Sequence, residues 1–430
     1  MHLSRRAVNQ AARKSAPAFC DTAAFRLLSM FTNMPNKVQF EGRPVWAEVN
    51  LSALAHNLRS IRRHLASGRK SAGSQSEPPK ILAVVKANAY GHGAVPVARA
   101  LAKGASDWFG VTCSAEGIEL REGGIRKPIL LLTGFWAGEE KRIIEHHLTP
   151  AVTRCAQLLL LERAAAKARR SKSFSFHLKI DSGMNRLGIA PPDVPCFAKT
   201  LADCPHLRLQ GIFTHFASSE EFTHDKTDQQ RQIFEAALAR LRELKLEAPL
   251  IHMANSAAIV SRPETWATMV RPGLVLYGHH QSYQPPQRDA EAAAVVPLRP
   301  VLSLRARIIS LRDLPTGQGV GYNSRWTAAR PSRVAVIAIG YADGLPRGLS
   351  NKGRVIVRGR FAPLVGTVSM DLSAVYVTDV PDVHVGDVAT IYGSDGNLSQ
   401  QVSDVAKILG TVTSDLCCDL GPRVPRICVP

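Results

Sequence analysis

The sequence predicts an α/β protein in which a (β/α)8 barrel is followed by a separate, mainly β domain. The first observation is that short apolar runs alternate with helix-like stretches eight times within about 230 residues. The second is that these runs are continuously apolar, which is typical of parallel strands buried on both faces. The third is that strand-like segments separated by Gly and Pro turns predominate after Pro285.

The eight strand-like runs are spaced as in an α/β barrel, with helix-like stretches such as Gln229–Lys245 between them. The runs are Lys80–Lys86, Trp108–Cys113, Pro128–Gly134, Leu148–Val152, Phe174–Ile180, Leu207–Phe216, Pro249–Asn255 and Thr268–Gly273. Eight repeats of this unit predict a TIM barrel. A doubly wound open sheet is the alternative, but no GxGxxG sequence follows any of the runs, which disfavours its dinucleotide-binding form.

The pattern divides the chain into three parts. Residues 44–290 are predicted to form the barrel, and residues 291–430 the β domain, after a Pro/Gln-rich linker at Gln284–Arg288. Residues 1–43 are expected to be a basic, disordered extension, because the first forty residues contain six basic residues and one acidic residue. A transit peptide and an over-extended start upstream of Met30 are the alternatives.

Composition excludes several classes of protein. Hydrophobic residues make up 45% of the chain and charged residues 21%, as in ordinary globular proteins. We expect no membrane span, since no run approaches about 20 apolar residues. The net charge of +19 comes from scattered basic residues, so we expect no nucleic-acid partner. The eight cysteines show no CxxC spacing, which predicts a reducing, cytoplasmic setting without a metal site.

Polar residues end five of the eight predicted strands, where barrel enzymes place their active sites. They are Lys86, Lys179 with Asp181, His215, Asn255 with Ser256, and Arg271 with Gly273. The loops after strands 7 and 8, which contain Ser256 and Gly273, are a common phosphate site in such barrels. A buried ammonium ion at Lys86 would be costly, and a Schiff base with an aldehyde cofactor removes that cost.

The segment Ala83–Gly93, AVVKANAYGHG, resembles the pyridoxal-phosphate signature of the alanine racemase family. The resemblance continues in the same order from Pro44 to the C-terminus. Its other motifs are Lys179–Arg186, Thr214–Phe216, His252–Ser256, Arg271–Gly273, Val320–Tyr322, Gly340–Gly344 and Ser369–Asp371. It implies an enzyme that interconverts L-alanine and D-alanine and supplies D-alanine for cell-wall precursors.

By this resemblance, Lys86 binds pyridoxal 5'-phosphate as an internal aldimine and is one of two catalytic bases. Tyr322 is the other base and reaches the site from the second subunit of a homodimer. Two bases on opposite faces are what inversion at Cα requires, because one removes the proton and the other delivers it.

The resemblance also assigns the residues around these bases. Arg186 would bind the substrate carboxylate, and Met370 would add its backbone amide from the partner. Arg271 would face the pyridine nitrogen and, because arginine keeps its protons, would leave that nitrogen unprotonated. Lys179 matches a lysine that is often carbamylated in the family. The remaining cofactor contacts implied are Tyr90, Ser256 and Gly273 at the phosphate, with His215, His252 and Asn255 nearby.

The resemblance leaves one cofactor contact in doubt and two alternative functions open. Ser414 stands where many members of the family have a phosphate-binding tyrosine, so one cofactor contact is expected to be missing or shortened. A broad-specificity amino-acid racemase of the same fold, and a non-catalytic pyridoxal-phosphate carrier built from the barrel alone, are the alternative functions. The second domain with Tyr322 argues against a carrier, which needs no second base.

Overall fold

The computed structural model describes residues 42–71, 77–104, 106–168 and 173–430. The predicted extension therefore lies outside the described residues up to position 41. The described residues form an eight-stranded parallel sheet, a nine-stranded sheet and a two-stranded ribbon. Among them, no helix combines the length and the apolar character needed to cross a membrane.

The parallel sheet closes into the predicted barrel. With β1 (Val45–Asn50) set aside, its strands are β2 (Lys80–Val84), β3 (Trp108–Val111), β4 (Ile129–Leu131), β5 (Thr149–Val152), β6 (Phe174–Lys179), β7 (Leu207–Phe213), β8 (Leu250–His252) and β9 (Met269–Val270). β9 pairs with β2 on one side. On the other side the Thr268 N–H donates to the Ile251 carbonyl at 3.1 Å, which closes the ring. Each strand lies within one of the eight predicted runs, so the predicted fold class is confirmed.

Amphipathic helices cover the barrel. In α1 the buried side chains Leu54, Leu58, Ile61 and Leu65 recur at the three- and four-residue spacing of one helix face. The helices that surround the barrel are α1 (Leu51–Ser71), α2 (Ala94–Lys103), α3 (Ser114–Glu122), α4 (Glu140–Glu145), α5 (Cys155–Lys167), α6 (Val194–Ala202), α7 (Lys226–Glu243), α8 (Ser256–Ser261) and α9 (Arg288–Val295). A small cluster around Trp108, Leu130 and Met269 packs among the strands.

The second sheet is mainly antiparallel. Its strands are β1, β10 (Leu302–Leu314), β13 (Ser332–Ile337), β14 (Arg354–Val357), β15 (Arg360–Val365), β16 (Ser373–Tyr376), β17 (Val388–Asp395), β18 (Leu398–Gln400) and β19 (Arg426–Val429). The ribbon consists of β11 (Gly319–Val320) and β12 (Trp326–Thr327), and two helices follow β18, α10 (Val402–Leu409) and α11 (Thr413–Cys418). The long strand β10 pairs with β1, β13 and β17, which curls the sheet.

The structure corrects the predicted domain limits in two respects. The prediction placed the chain from residue 44 in the barrel, whereas β1 pairs with β10 and β19 in the second sheet. The reason is that the sequence of an apolar strand does not indicate which other strand it pairs with. The partners of β1 are more than 250 residues away along the chain. The predicted limit between residues 290 and 291 also falls inside α9.

Candidate active site at the barrel mouth

The carboxyl ends of the barrel strands bring five of the predicted residues into one cationic cluster. Burial lowers the pKa of Lys179 to about 8, and the nearby charges of Arg186, Arg271 and Lys86 act in the same direction. Burial and the same cations hold the pKa of His215 well below its usual range. Asp181 raises the pKa of Lys179 as an opposing charge, but the cations outnumber it, so an anion is the ligand that this mouth favours.

Arg271 is fixed by a buried set of acceptors. Its guanidinium donates to the carbonyls of Thr214 at 2.7 Å, His252 at 2.8 Å and Met253 at 2.9 Å. It also contacts Nδ1 of His252 at 3.2 Å and Nδ1 of His215 at 3.3 Å. Burial lowers the pKa of Arg271 to about 9, so the group remains a cation at neutral pH. Since a guanidinium only donates, both imidazole nitrogens must accept.

A tight turn after β6 presents Arg186. The Asp181 carboxylate accepts hydrogen bonds from the backbone N–H groups of Gly183 and Asn185 at 3.0 Å and of Arg186 at 3.2 Å. Gly183 has a φ of +128°, which a side chain would disfavour. Arg186 itself is exposed and borders a cavity of about 550 Å³ that also contacts Trp136. The turn therefore holds the Arg186 backbone while its guanidinium stays accessible.

Ser256, Gly273 and Tyr90 lie together at the other side of the mouth. The Gly273 N–H donates to Ser256 Oγ at 2.9 Å. A Cβ on Gly273 would come within 2.6 Å of the Tyr90 hydroxyl, so only glycine leaves that space free. The Tyr90 ring packs against Tyr277 at 4.8 Å between ring centres. Burial raises the pKa of Tyr90 to about 12, which keeps its phenol neutral and able to donate.

The segment that follows Lys86 has an unusual backbone. Ala87, Asn88, Ala89 and Tyr90 all have φ between +51° and +54°, the left-handed region. This conformation costs roughly 1–2 kcal/mol for each residue that has a Cβ. The chain then turns at Gly91, whose N–H donates to the Ala87 carbonyl at 2.9 Å. Nothing in the residue pattern predicts four left-handed residues in succession.

The β domain of the same chain packs on this segment. A Cβ on Gly91 would collide with the Cys417 carbonyl oxygen in α11, and Arg426 Nε donates to the Gly91 carbonyl at 2.9 Å. Ser414 lies one turn before Cys418 on α11. The Lys86 charge opposes the rise in the pKa of Cys418 that burial causes, so this thiol lies near the lysine. Cys418 was not among the predicted site residues.

Tyr322, Tyr341 and Met370 lie in other loops of the β domain. Tyr322 is in the turn between β11 and β12, and all three border one surface hollow. Their side chains are 70%, 43% and 52% exposed. The loops of Tyr341 and Met370 are tied together, because the Ala342 N–H donates to the Met370 carbonyl at 3.0 Å. Arg423 strengthens this link, because its guanidinium pairs with the fully buried Asp343 at 2.8 Å and with Asp371 at 2.6 Å.

Asn255 begins a helix at the site, and two further residues, His177 and Glu116, lie at the site without having been predicted. The Asn255 side-chain oxygen accepts from the Ala258 N–H at 3.1 Å and from the Ser219 hydroxyl at 2.6 Å, so it begins α8. His252 Nε2 contacts Nδ1 of His177 at 3.0 Å in the barrel interior, and sequence reasoning missed His177. It also missed Glu116, whose carboxylate bonds the backbone beside Lys86. Neither residue stands at the end of a predicted strand, and the prediction of site residues relied on polar residues at those ends.

The closed barrel, its cationic mouth and the attached β domain define an α/β-barrel enzyme of two domains. Family models for the alanine racemase N-terminal domain and the alanine racemase C-terminal domain match residues 49–281 and 301–428. The chain belongs to the alanine racemase family. A relative from Halothermothrix orenii, named alanine racemase, is 37% identical over 384 residues, which are 89% of this chain and 96% of the relative.

Solved structures agree with this assignment. Alanine racemase from Clostridium difficile superimposes with a TM-score of 0.81 at 32% identity, over 91% of this chain and 97% of that one. The enzyme from Bartonella henselae, solved with covalently bound pyridoxal phosphate, has a TM-score of 0.77 at 28% identity and covers 90% of this chain and 100% of its own. The predicted family is confirmed.

Proposed function

We propose that this chain interconverts L-alanine and D-alanine with pyridoxal 5'-phosphate as cofactor. The observation that carries the proposal is the cationic mouth, where Lys86 lies within electrostatic reach of Lys179 and His215, as do Arg186 and Arg271. The carboxylate of a small amino acid and the phosphate of the cofactor both suit such a cluster. The reaction would supply D-alanine for cell-wall precursors in the cytoplasm.

The residues present fit this cofactor. The Ser256 and Tyr90 hydroxyls and the Gly273 backbone surround a space that a Cβ would fill, and they would hold the phosphate. Lys86 would hold the cofactor covalently, and His215 and Asn255 would lie near it. Arg271 would face the pyridine nitrogen as a donor that keeps its protons. When bound, the cofactor supplies an electron-accepting ring that acidifies the α-proton of the amino acid.

The chain's own groups would move that proton. Lys86 Nζ would exchange it on one face of Cα, and Tyr322 Oη of a second subunit would exchange it on the other. Removal on one face with delivery on the other inverts the centre. Arg186, held by the Asp181 turn, would bind the substrate carboxylate as a cation, and the Met370 amide of the second subunit would add a neutral donor.

The second subunit is required because Tyr322, Tyr341 and Met370 form an exposed face. Large side chains left open to solvent on one patch are typical of an association surface. In a two-fold dimer the same patch is used twice, so each subunit would complete the mouth of the other. This arrangement makes the working enzyme a homodimer in which residues 291–430 contribute to the partner's site.

Lys179 is proposed to react with carbon dioxide. With its pKa lowered to about 8, part of the amine is neutral at physiological pH and can attack carbon dioxide, releasing one proton and leaving a carbamate. The negative carbamate would relieve the repulsion among Lys86, Arg186 and Arg271. It would also give Arg186 an anionic partner. Labelling with ¹³C-bicarbonate followed by NMR would detect the modified side chain.

Incubation with L-alanine in deuterium oxide tests the function. Racemisation should yield D-alanine that carries deuterium at Cα, whereas a carrier protein would yield none. L-serine and L-arginine, offered at the same concentration, serve as competing substrates. Turnover of all three at similar rates would favour a broad-specificity racemase, and the absence of any deuterated D-amino acid would overturn the proposal.

A further inference from the structure

Glu116 connects the residue after Lys86 to the neighbouring strand of the barrel. Its Oε1 accepts a hydrogen bond from the Ala87 N–H at 2.7 Å, and its Oε2 accepts one from the Thr112 N–H at 2.7 Å. Thr112 directly follows β3, and Glu116 lies in the first turn of α3. One carboxylate therefore bonds two backbone groups that are 25 residues apart in sequence.

The two bonds have different significance. The bond to Thr112 is local, since acidic side chains often bond the backbone just before a helix in whose first turn they stand. The bond to Ala87 spans 29 residues and has no such local explanation. It joins the turn after β2 to the start of α3, just beyond the barrel hydrogen bond from the Val85 N–H to the Gly110 carbonyl at 2.9 Å. The second bond is therefore the one that bears on Lys86.

The Ala87 N–H belongs to the peptide plane that joins Lys86 to Ala87. Fixing this plane fixes ψ of Lys86, and with it the direction in which the Lys86 side chain leaves the backbone. The same plane begins the left-handed run from Ala87 to Tyr90, which the chain adopts at a cost. Within the run, Asn88 Oδ1 accepts from the N–H of Ala94, four residues beyond Tyr90, at 2.7 Å. The run is thus held at its start by the Glu116 carboxylate and tied to α2 by the Asn88 side chain.

We propose that Glu116 is a positioning residue for the reaction, which acts by holding the left-handed turn that aims Lys86 at the barrel mouth. The proposal rests on the function proposed above, because it assumes that Lys86 binds the cofactor. Glu116 touches neither substrate nor cofactor in this account. Its effect passes through the Ala87 peptide to the direction of the lysine, and so to proton transfer rather than to alanine binding.

The central test compares Glu116→Gln with Glu119→Gln in the holoenzyme. Glu119 is exposed on the same helix and loses the same charge, so it is the matched control. In Glu116→Gln the amide nitrogen must face one of the two N–H groups, which removes one bond and leaves two donors opposed. We expect kcat to fall by about 10- to 100-fold, with the KM for alanine changed by less than about twofold.

Two readouts that need no alanine complete the test. Amide hydrogen exchange of residues 85–92 should become faster in Glu116→Gln and stay as in wild type in Glu119→Gln. The absorption band of the bound cofactor should shift or weaken in the first variant alone. If wild-type protein fails to racemise alanine while these two readouts change as expected, the proposed function fails and the positioning role stands.

A second variant covers the case in which Glu116→Gln does not fold. Glu116→Asp keeps the charge and, being one methylene shorter, keeps the local bond to Thr112 but cannot also reach Ala87. It should show the same faster exchange at residues 85–92 and the same loss in kcat. Exchange, spectrum and kcat equal to wild type in Glu116→Asp would overturn the proposal, as would exchange that rises equally throughout β3 and α3.

Discussion

Arg271 donates to Nδ1 of His252 at 3.2 Å, and this contact determines where the His252 proton lies. Because Nδ1 must accept, the proton is on Nε2, which then donates to Nδ1 of His177 at 3.0 Å. His177 must in turn carry its proton on Nε2, which is buried and has no hydrogen-bond partner among the residues that the structure describes. Burial lowers the pKa of His177 to about 3 and holds the pKa of His252 well below its usual range. Both imidazoles in this row behind Arg271 therefore stay neutral.

Replacing Arg271 by lysine should disturb this row. A lysine offers three hydrogens from a single atom and cannot reach the carbonyls of Thr214, His252 and Met253 in the way the planar guanidinium does. With at least one charge-assisted bond lost, worth about 1.5–3 kcal/mol, kcat/KM should fall by at least about tenfold. Steady-state kinetics would measure the loss. Arg208→Lys, at an exposed arginine on the barrel, should keep wild-type kinetics.

Lys86→Ala should remove both racemisation and the visible absorption of the bound cofactor. The reason is that no other residue would hold the cofactor covalently, although the phosphate contacts of Tyr90 and Ser256 persist. Absorption spectra and a coupled assay for D-alanine would record the two effects. Lys199→Ala, at an exposed lysine of α6, is the control, and full activity in Lys86→Ala would refute the central assignment.

Mixing two inactive variants tests the shared site. Lys86→Ala and Tyr322→Phe homodimers would each lack one base in every site. Random exchange gives half mixed dimers, each with one intact site of two, so activity should recover to about a quarter of wild type. The measurement is activity after subunit exchange, with mixed dimers verified by native mass spectrometry. Mixed dimers without recovered activity would place both residues in one chain's site.

Gly273→Ala should weaken both the fold and the cofactor site. Its Cβ would meet the Tyr90 hydroxyl at 2.6 Å, so the ring or the loop must move. Overpacking of this kind costs about 1–3 kcal/mol. Thermal unfolding of the cofactor-free protein should show the loss, and Tyr90→Phe in the same chain should recover part of it by removing the oxygen. No recovery in the double variant would mean that another contact is responsible.

Stability should decrease below pH 6.5 because buried histidines stay neutral. Burial lowers the pKa of His279 to about 4, and the charge of the neighbouring His280 acts in the same direction. The unfolded chain takes up a proton below about 6.5 while the folded chain does not, so stability is lost as pH falls from 6.5 towards 4. At pH 5 this amounts to about 2 kcal/mol for His279.

The pH effect can be measured by urea unfolding at fixed protein concentration. Between pH 8 and pH 5, His279→Gln should lose about 2 kcal/mol less stability than wild type. His224→Gln, at an exposed histidine on the loop before α7, is the matched control. An unchanged pH dependence in His279→Gln would show that this side chain is not kept neutral by the fold.

The barrel was predictable because its signal is local. All eight strands fall inside apolar runs that are visible in the sequence, and polar residues such as Lys179 and Arg271 mark their carboxyl ends. The motif Ala83–Gly93 identified the family from eleven consecutive residues. These features need no knowledge of which segments meet in space.

The features of the structure that the sequence did not predict depend on contacts between distant segments. The pairing of β1 with β10, the left-handed run from Ala87 and the reach of Glu116 to its backbone are decided by tertiary packing, which overrides local preference. Ala87 and Ala89 have no intrinsic preference for positive φ. Sequence alone therefore predicts that Lys86 lies at the end of a barrel strand, without revealing the backbone turn that follows it.

The pairing of β1 with β19 makes the barrel an insertion within the β domain. The two strands run parallel, with Ala47 opposite Arg426 and Asn50 opposite Val429. During synthesis β1 emerges before the barrel, but both of its partner strands, β10 and β19, emerge after it, so β1 stays unpaired until the barrel residues have been made.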